Sequence, residues 1–189
     1  TRAAFKLKRI ANPWIDMETI PFANGDKFFE LAAESDKRFD YTVSWVDCIA
    51  SGSRLGRGIY MGGNNAAAAP GKNYREPRRA VPFDFPSFAL NGLTVRAFNT
   101  TYHAAQSLRA GKSTVHYNPF FYPLDAVKNW NRIYGRRGFH QHQCVVPFAG
   151  SHEPIRRILE AIAESRQGSF LAVLKICGKR EPAGMLSFP

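Results

Sequence analysis

A chain of 189 residues with 44% hydrophobic and 13% aromatic content carries enough apolar surface for a core, which excludes a wholly disordered chain. Its 26 Lys and Arg against 15 Asp and Glu leave a net charge of +11, suited to nucleic acid, phosphorylated small molecules or an anionic membrane surface. No apolar run is long enough to span a bilayer, no repeat of fixed period suggests a solenoid, and three cysteines without a Cys-x-x-Cys pair fit free thiols better than a disulfide scaffold.

Residues 1–10 alternate polar and apolar like a strand, and no signal peptide is recognisable. The first Met is Met17 and the last residues, Met185 to Pro189, are apolar, so the chain reads as a piece of a larger protein. Its expected place is the cytoplasm or the periphery of a membrane. An extended stretch from Trp14 to Phe22 leads through Asn24-Gly25-Asp26 into a helical pattern. Phe28, Leu31, Ala32, Ser35 and Phe39 fall at helix spacing there, with Glu34 and Arg38 four residues apart. Tyr41 to Asp47 then reads as a strand rich in β-branched and aromatic residues.

Gly62 to Asn65, Ala66 to Ala69 and Pro70-Gly71 read as loop, and residues 72–125 show no steady period. Long irregular stretches of this kind are lids, binding loops or disordered segments, or an insertion without function. Beyond it, Gln141 to Phe148 reads as a strand, Gly150-Ser151 as a turn and N-cap, and Ile155, Ile158, Leu159 and Ile162 as a helical stripe. Ser169 to Cys177 reads as a further strand. Two strand–helix–strand units around a long irregular insertion predict an α+β fold, a mostly antiparallel sheet with helices on one face.

Basic clusters stand at Arg75, Arg78 and Arg79, at Arg136-Arg137 and at Arg156-Arg157, with aromatics interleaved from His116 to Tyr122. This pattern admits a nucleic-acid-binding module by phosphate contact and stacking, although no RNA-binding signature or helix-turn-helix spacing accompanies it. His140, His142 and Cys144 share one face of their strand, but without a zinc-type spacing, and with Val146 and Phe148 continuing that face, a metal site is not expected. Gln141 and Gln143 point the other way. Along the last strand, Phe170, Ala172, Leu174 and Ile176 form an apolar face; Lys175 lies on the opposite one with Leu171, Val173 and Cys177. A cation and two amides on one sheet face would suit an oxygen-rich, phosphorylated ligand. Neither a Gly-x-Ser-x-Gly elbow, a Walker-type loop nor a Gly-x-Gly-x-x-Gly fingerprint is present, so nothing here binds a dinucleotide unaided.

Several separated blocks, in order, resemble one family. They are Tyr41 to Asp47, Leu55-Gly56-Arg57-Gly58, Pro123-Leu124-Asp125, Trp130-Asn131-Arg132, Tyr134-Gly135, Gly138-Phe139 leading into Gln141-His142-Gln143, Phe170-Leu171 through Lys175, and Leu186 to Pro189. Together they are similar to FAD-linked oxidoreductases of the vanillyl-alcohol-oxidase type. The resemblance implies that residues 1–189 form the substrate-binding, or cap, domain of such an enzyme, with a lid-like insertion at about 62–134 and with FAD held mainly by a separate N-terminal domain. It implies hydride transfer from a substrate C–H to flavin N5 and reoxidation by oxygen, a quinone or another acceptor, on a sugar or polyprenyl-phosphate sugar. By position, Trp45, Phe121, Tyr122, Gln141, Gln143, Lys175 and Cys177 would line the pocket, with Gln143 and Lys175 also placed to hold flavin oxygens. Phe121 stands where a related oxidase has a pocket-edge Tyr, Tyr122 where it has a His, and His142 where it has a Tyr. The catalytic Lys implied by the resemblance falls after Pro189, so no catalytic residue is expected within this chain.

Overall fold

The computed structural model describes residues 2, 4 and 6–177, apart from 36, 72, 77 and 78. Arg78 and the block Leu186 to Pro189 lie outside the described residues. Among the described residues, Lys6 to Ile10, expected as strand, pair with no neighbouring strand. The first unit forms as expected: β1 (Trp14–Phe22), α1 (Gly25–Ser35) and β2 (Tyr41–Val46). Asn24 caps α1, its Oδ1 accepting the Lys27 N–H at 3.1 Å. The helix stops at Ser35, so Phe39 leaves the helical stripe, and Arg38 turns to β1, its Nη2 donating to Glu18 Oε2 at 2.6 Å rather than meeting Glu34.

The stretch Gly62 to Asn65, expected as loop, is instead the second half of β3 (Gly58–Asn65), which lies between β1 and β2 and runs antiparallel to both. This is a split β-α-β arrangement. The glycines that look like a loop in the sequence are there because the sheet is closely covered. A Cβ on Gly62 would meet the Phe39 ring at 2.2 Å, and one on Gly63 would meet Ile15 Cγ2 at 2.5 Å. At Gly58 the obstacle is backbone, the Trp45 carbonyl oxygen at 2.1 Å. Gly58→Ala is therefore expected to destabilise the chain by about 3 kcal/mol. Calorimetry checks this, and a melting temperature within about 2 °C of the parent would contradict it.

The insertion is more ordered than its composition suggests. It holds β4 (Arg79–Ala80), α2 (Gly92–Ser107), β5 (Gly111–His116), α3 (Tyr117–Phe121) and β6 (Val127–Lys128). β5 pairs with the outer edge of β1, giving the antiparallel order β2-β3-β1-β5, while β4 and β6 make a separate parallel pair. A capping box starts α2: Asn91 Oδ1 accepts from the Leu93 and Thr94 N–H groups, and Thr94 Oγ1 accepts from the Asn91 N–H. The last helix, α4 (His152–Ser165), appears where its stripe predicts.

Among the described residues the two strands expected on either side of α4 do not form ladders. Gln141 to Phe148 is exposed except at the half-buried Val146. The run Phe170 to Cys177 lies antiparallel beside β2 but shares one backbone bond with it, from the Val46 N–H to the Ala172 carbonyl at 3.0 Å. Alternation decides which residues share a face; it does not by itself supply a backbone partner.

Strand alternation then separates two faces. Phe22, Val46 and Tyr60 pack on one face against Phe28 and Ala32 of α1, with Leu159 of α4 and Leu174 and Ile176 completing the cluster. Ile15, Thr19, Trp45 and Ile59, all buried, belong to the other, which α2 and α3 approach. The class is α+β, as expected. The helices expected on one face are α1 and α4, and α2 adds a layer on the opposite one. Among the described residues no helix is long and apolar enough to cross a membrane.

Candidate functional site

The face of the sheet carrying Trp45 is covered at both ends and half open between them. At one end Tyr102 of α2 stands edge-on to Trp45, ring centres 4.8 Å apart. At the other, Phe120 approaches the bare backbone of Gly63, and Phe121 meets Tyr41 edge-on at 5.1 Å. Between these covers Val43, Met61 and Met17 are only half-buried, on three neighbouring strands. They floor a strip of apolar side chains.

Register sets Lys175 beside this strip, while the residue also lines a small cavity on the α1 side with Phe28, Thr42, Ser44 and Tyr60. Val46 bonds to Ala172, and Ser44 Oγ donates to the Leu174 carbonyl, so the run from 170 onward is antiparallel to β2 with Ala172 opposite Val46. Continuing that register sets Val173 opposite Trp45, Lys175 opposite Val43 and Cys177 opposite Tyr41, all on the strip's face. Leu174 and Ile176 alternate into the core on the other face, which agrees with their packing against α1 and α4. Lys175 and Cys177 are exposed.

Of the residues singled out from the sequence, Trp45, Phe121, Lys175 and Cys177 thus come to one face, with Tyr122 next to Phe121 at a ring separation of 6.3 Å. Gln141 and Gln143 are exposed on the segment before α4, and among the described residues no hydrogen bond ties either to the strip. His140, His142 and Cys144 lie on that same segment; among the described residues no group of three His, Cys, Asp or Glu side chains is arranged to hold a metal ion.

Tyr102, Met61 and the α2 helix itself were not legible as site components. The signal for α2 was the Asn91-x-x-Thr94 cap followed by Val95, Phe98, Asn99, Tyr102 and His103 at helical spacing. From Trp45 an aromatic row continues through Tyr102, Phe98, Phe170, Tyr134, Phe139 and Trp130, each ring within 6 Å of the next. The Trp45 indole N–H is satisfied by the Phe170 carbonyl at 2.8 Å. Burial pushes the Tyr102 hydroxyl above its ordinary range, so it stays neutral.

Behind Trp45, β2 ends in a buried polar cluster. Asp47 Oδ2 accepts from Arg57 Nε at 3.0 Å and Nη2 at 2.9 Å, and Asp47 Oδ1 accepts from Asn99 Nδ2 at 2.9 Å. Burial first, and then the Arg57 charge, hold His103 below the ordinary histidine pKa of 6.5. A lowered pKa means that the unfolded chain binds more protons between the folded-state value and 6.5, so stability should fall as pH drops through that window and be level above it. Unfolding midpoints at about pH 7.5 and about pH 5.5 check the sign. The drop is expected to shrink in His103→Gln, and an unchanged drop would exclude His103 as its source.

No protein-family model matches the chain. Over 164 residues, 82% of this chain, it is 30% identical to decaprenylphosphoryl-beta-D-ribose oxidase of Mycolicibacterium smegmatis. The chain resembles part of that oxidase. It spans 35% of the oxidase's length, about a third. Of the ordered blocks that resemble this family, Tyr41 to Asp47 and Phe170 to Lys175 lie side by side in three dimensions, tied by the Val46 N–H to the Ala172 carbonyl and the Trp45 indole to the Phe170 carbonyl.

Proposed function

We propose that this chain is the substrate-binding part of an FAD-linked oxidoreductase that oxidises a hydroxyl of a sugar or polyprenyl-phosphate sugar. The observation that carries the reading is the half-open strip between Trp45 and Phe121 with Lys175 along its edge. A floor of Val43, Met61 and Met17, aromatic ends and one ammonium fit a flat heteroaromatic ring with carbonyl oxygens, and equally a sugar laid against it. A flavin, when bound, supplies the acceptor for the hydride removed from the carbinol carbon. The chain's own contribution is then binding and exclusion. Lys175 donates to oxygens of the substrate or the ring, Trp45 and Tyr102 close one end to water, and Phe121 with Tyr122 closes the other. Gln141 and Gln143 would join this set if their segment aligned with the sheet when the remainder of the enzyme docks. The +11 charge supports a phosphorylated substrate.

On this reading most of the flavin site belongs to the N-terminal domain that the resemblance implies. Residues 1–189 alone are therefore expected to bind FAD no more tightly than about 0.1 mM, a loss of several kcal/mol relative to a complete site. Fluorescence titration of FAD with the isolated chain measures this; stoichiometric flavin in the purified chain would contradict it. Tight oligonucleotide binding with a steep salt dependence would favour the alternative of a basic binding module.

A further inference from the structure

The run that carries Lys175 has a weak backbone claim on its place. One ladder bond, from Val46 to Ala172, joins it to β2. A slip by one residue would turn Lys175 toward the core and Leu174 and Ile176 outward. Side chains add to it: Ser44 Oγ donates to the Leu174 carbonyl and the Trp45 indole to the Phe170 carbonyl, and further contacts stand at the start of the run. At the head of the run, Gly168 fits only because it lacks a side chain, since a Cβ there would lie 1.8 Å from Ile49 Cγ2. Next to it Ser169 closes on Cys48, its N–H donating to Cys48 Sγ at 3.3 Å and its carbonyl accepting from the thiol at 3.2 Å.

Asn99 of α2 joins the three segments. It is fully buried, and its Nδ2 donates to Asp47 Oδ1 at 2.9 Å and to the Ser169 carbonyl at 3.4 Å. Asp47 cannot rotate away, because Arg57 grips its other oxygen. The carboxylate therefore demands a donor from Asn99 and fixes the amide's orientation, and the second N–H of that amide is left to fix Ser169. Among the described residues Asn99 Oδ1 finds no partner, and the amide is held there through its donor side.

We infer that Asn99 is a positioning residue: through Asp47 and Ser169 it sets the register of Gly168 to Cys177 against β2, and with it the face on which Lys175 stands. The structural half of this inference is independent of the proposed function. The catalytic consequence rests on the reading that Lys175 serves the site.

Disulfide trapping reads the register directly. The pair 43–175 is of the non-hydrogen-bonded antiparallel kind, whose Cα separation of about 4.5 Å suits a disulfide. In the full chain with Cys144→Ser and Cys177→Ser, Val43→Cys combined with Lys175→Cys is expected to cross-link. Val43→Cys with Leu174→Cys or Ile176→Cys is expected to cross-link poorly. Adding Asn99→Leu, or Asn99→Ser where a milder change is needed for folding, should lower the ratio of in-register to one-off cross-links at least about fivefold. A merely loosened run would lose all three products, whereas a slipped register exchanges one for another. An unchanged ratio in both folded variants, or uniform loss of all three, would overturn the inference. In the complete enzyme the same Asn99 variants, with Lys175 intact, should lower kcat/KM. A changed register with unchanged kcat/KM would leave the positioning intact and count against Lys175 as a site residue.

Discussion

Asp47→Ala is expected to destabilise the folded chain by about 3–5 kcal/mol, the cost of leaving a buried charge without its partner. Asp47 is 2% exposed, and the Arg57 side chain that it holds is 12% exposed. Removing the carboxylate strips Arg57 Nε and Nη2 of their acceptor, leaving Thr100 Oγ1 at 3.3 Å as the remaining contact. It also takes the main acceptor from the Asn99 amide. Three segments, the end of β2, the loop into β3 and the middle of α2, lose a common anchor. Asp47→Asn keeps the shape and one acceptor and should cost less, about 1–3 kcal/mol. Urea unfolding at constant slope measures both, and a loss below about 1 kcal/mol for Asp47→Ala would contradict the structural role given to this cluster.

In the complete enzyme, Lys175→Ala is expected to lower kcat/KM at least about tenfold, that is, by about 1.4 kcal/mol of binding to the rate-limiting transition state. A hydrogen bond from a charged donor is worth roughly that or more when water is kept from the strip. Lys175 is the cation that the register places between Trp45 and Tyr41, and Ala removes it without disturbing the core face formed by Leu174 and Ile176. The split between parameters is informative. A raised KM with kcat unchanged would assign Lys175 to substrate phosphate or sugar oxygens, whereas an equal fall in kcat would assign it to the developing charge of the reaction. Lys175→Arg keeps the charge on a longer, planar group and should recover part of the loss. Unchanged kinetics would remove Lys175 from the site.

What the sequence made legible was whatever depends on local periodicity. β1, α1 and β2 follow from apolar spacing and β-branched content, α4 from its stripe of isoleucines, and the face of Lys175, opposite to Leu174 and Ile176, from alternation; Trp45 was expected beside it only from the family resemblance. Close packing was hidden. Gly62 and Gly63 look like a turn in one dimension, and only the Phe39 and Ile15 side chains pressed against them explain why a strand has no side chains there. The α2 helix was obscured because its buried stripe is partly polar: Asn99 and His103 belong to the Asp47 cluster rather than to an apolar core, so hydrophobic spacing understates it. The opposite error occurred at Gln141 to Phe148, where good alternation met no backbone partner. An isolated strand pattern specifies a face but not a neighbour, so alternation alone could not set the two glutamines beside Lys175.

The central claim is that the strip bordered by Lys175 and Cys177 receives the substrate. Alkylation of the thiols in the complete flavoprotein tests this most directly, since Cys177 and Cys144 are both exposed but only Cys177 lies on the strip. A polyprenyl-phosphate sugar of the proposed substrate class at ten times its Kd, with turnover blocked by withholding the electron acceptor, should slow labelling of Cys177 roughly tenfold by mass action and leave Cys144 unaffected. Equal labelling of Cys177 with and without that compound would contradict the claim.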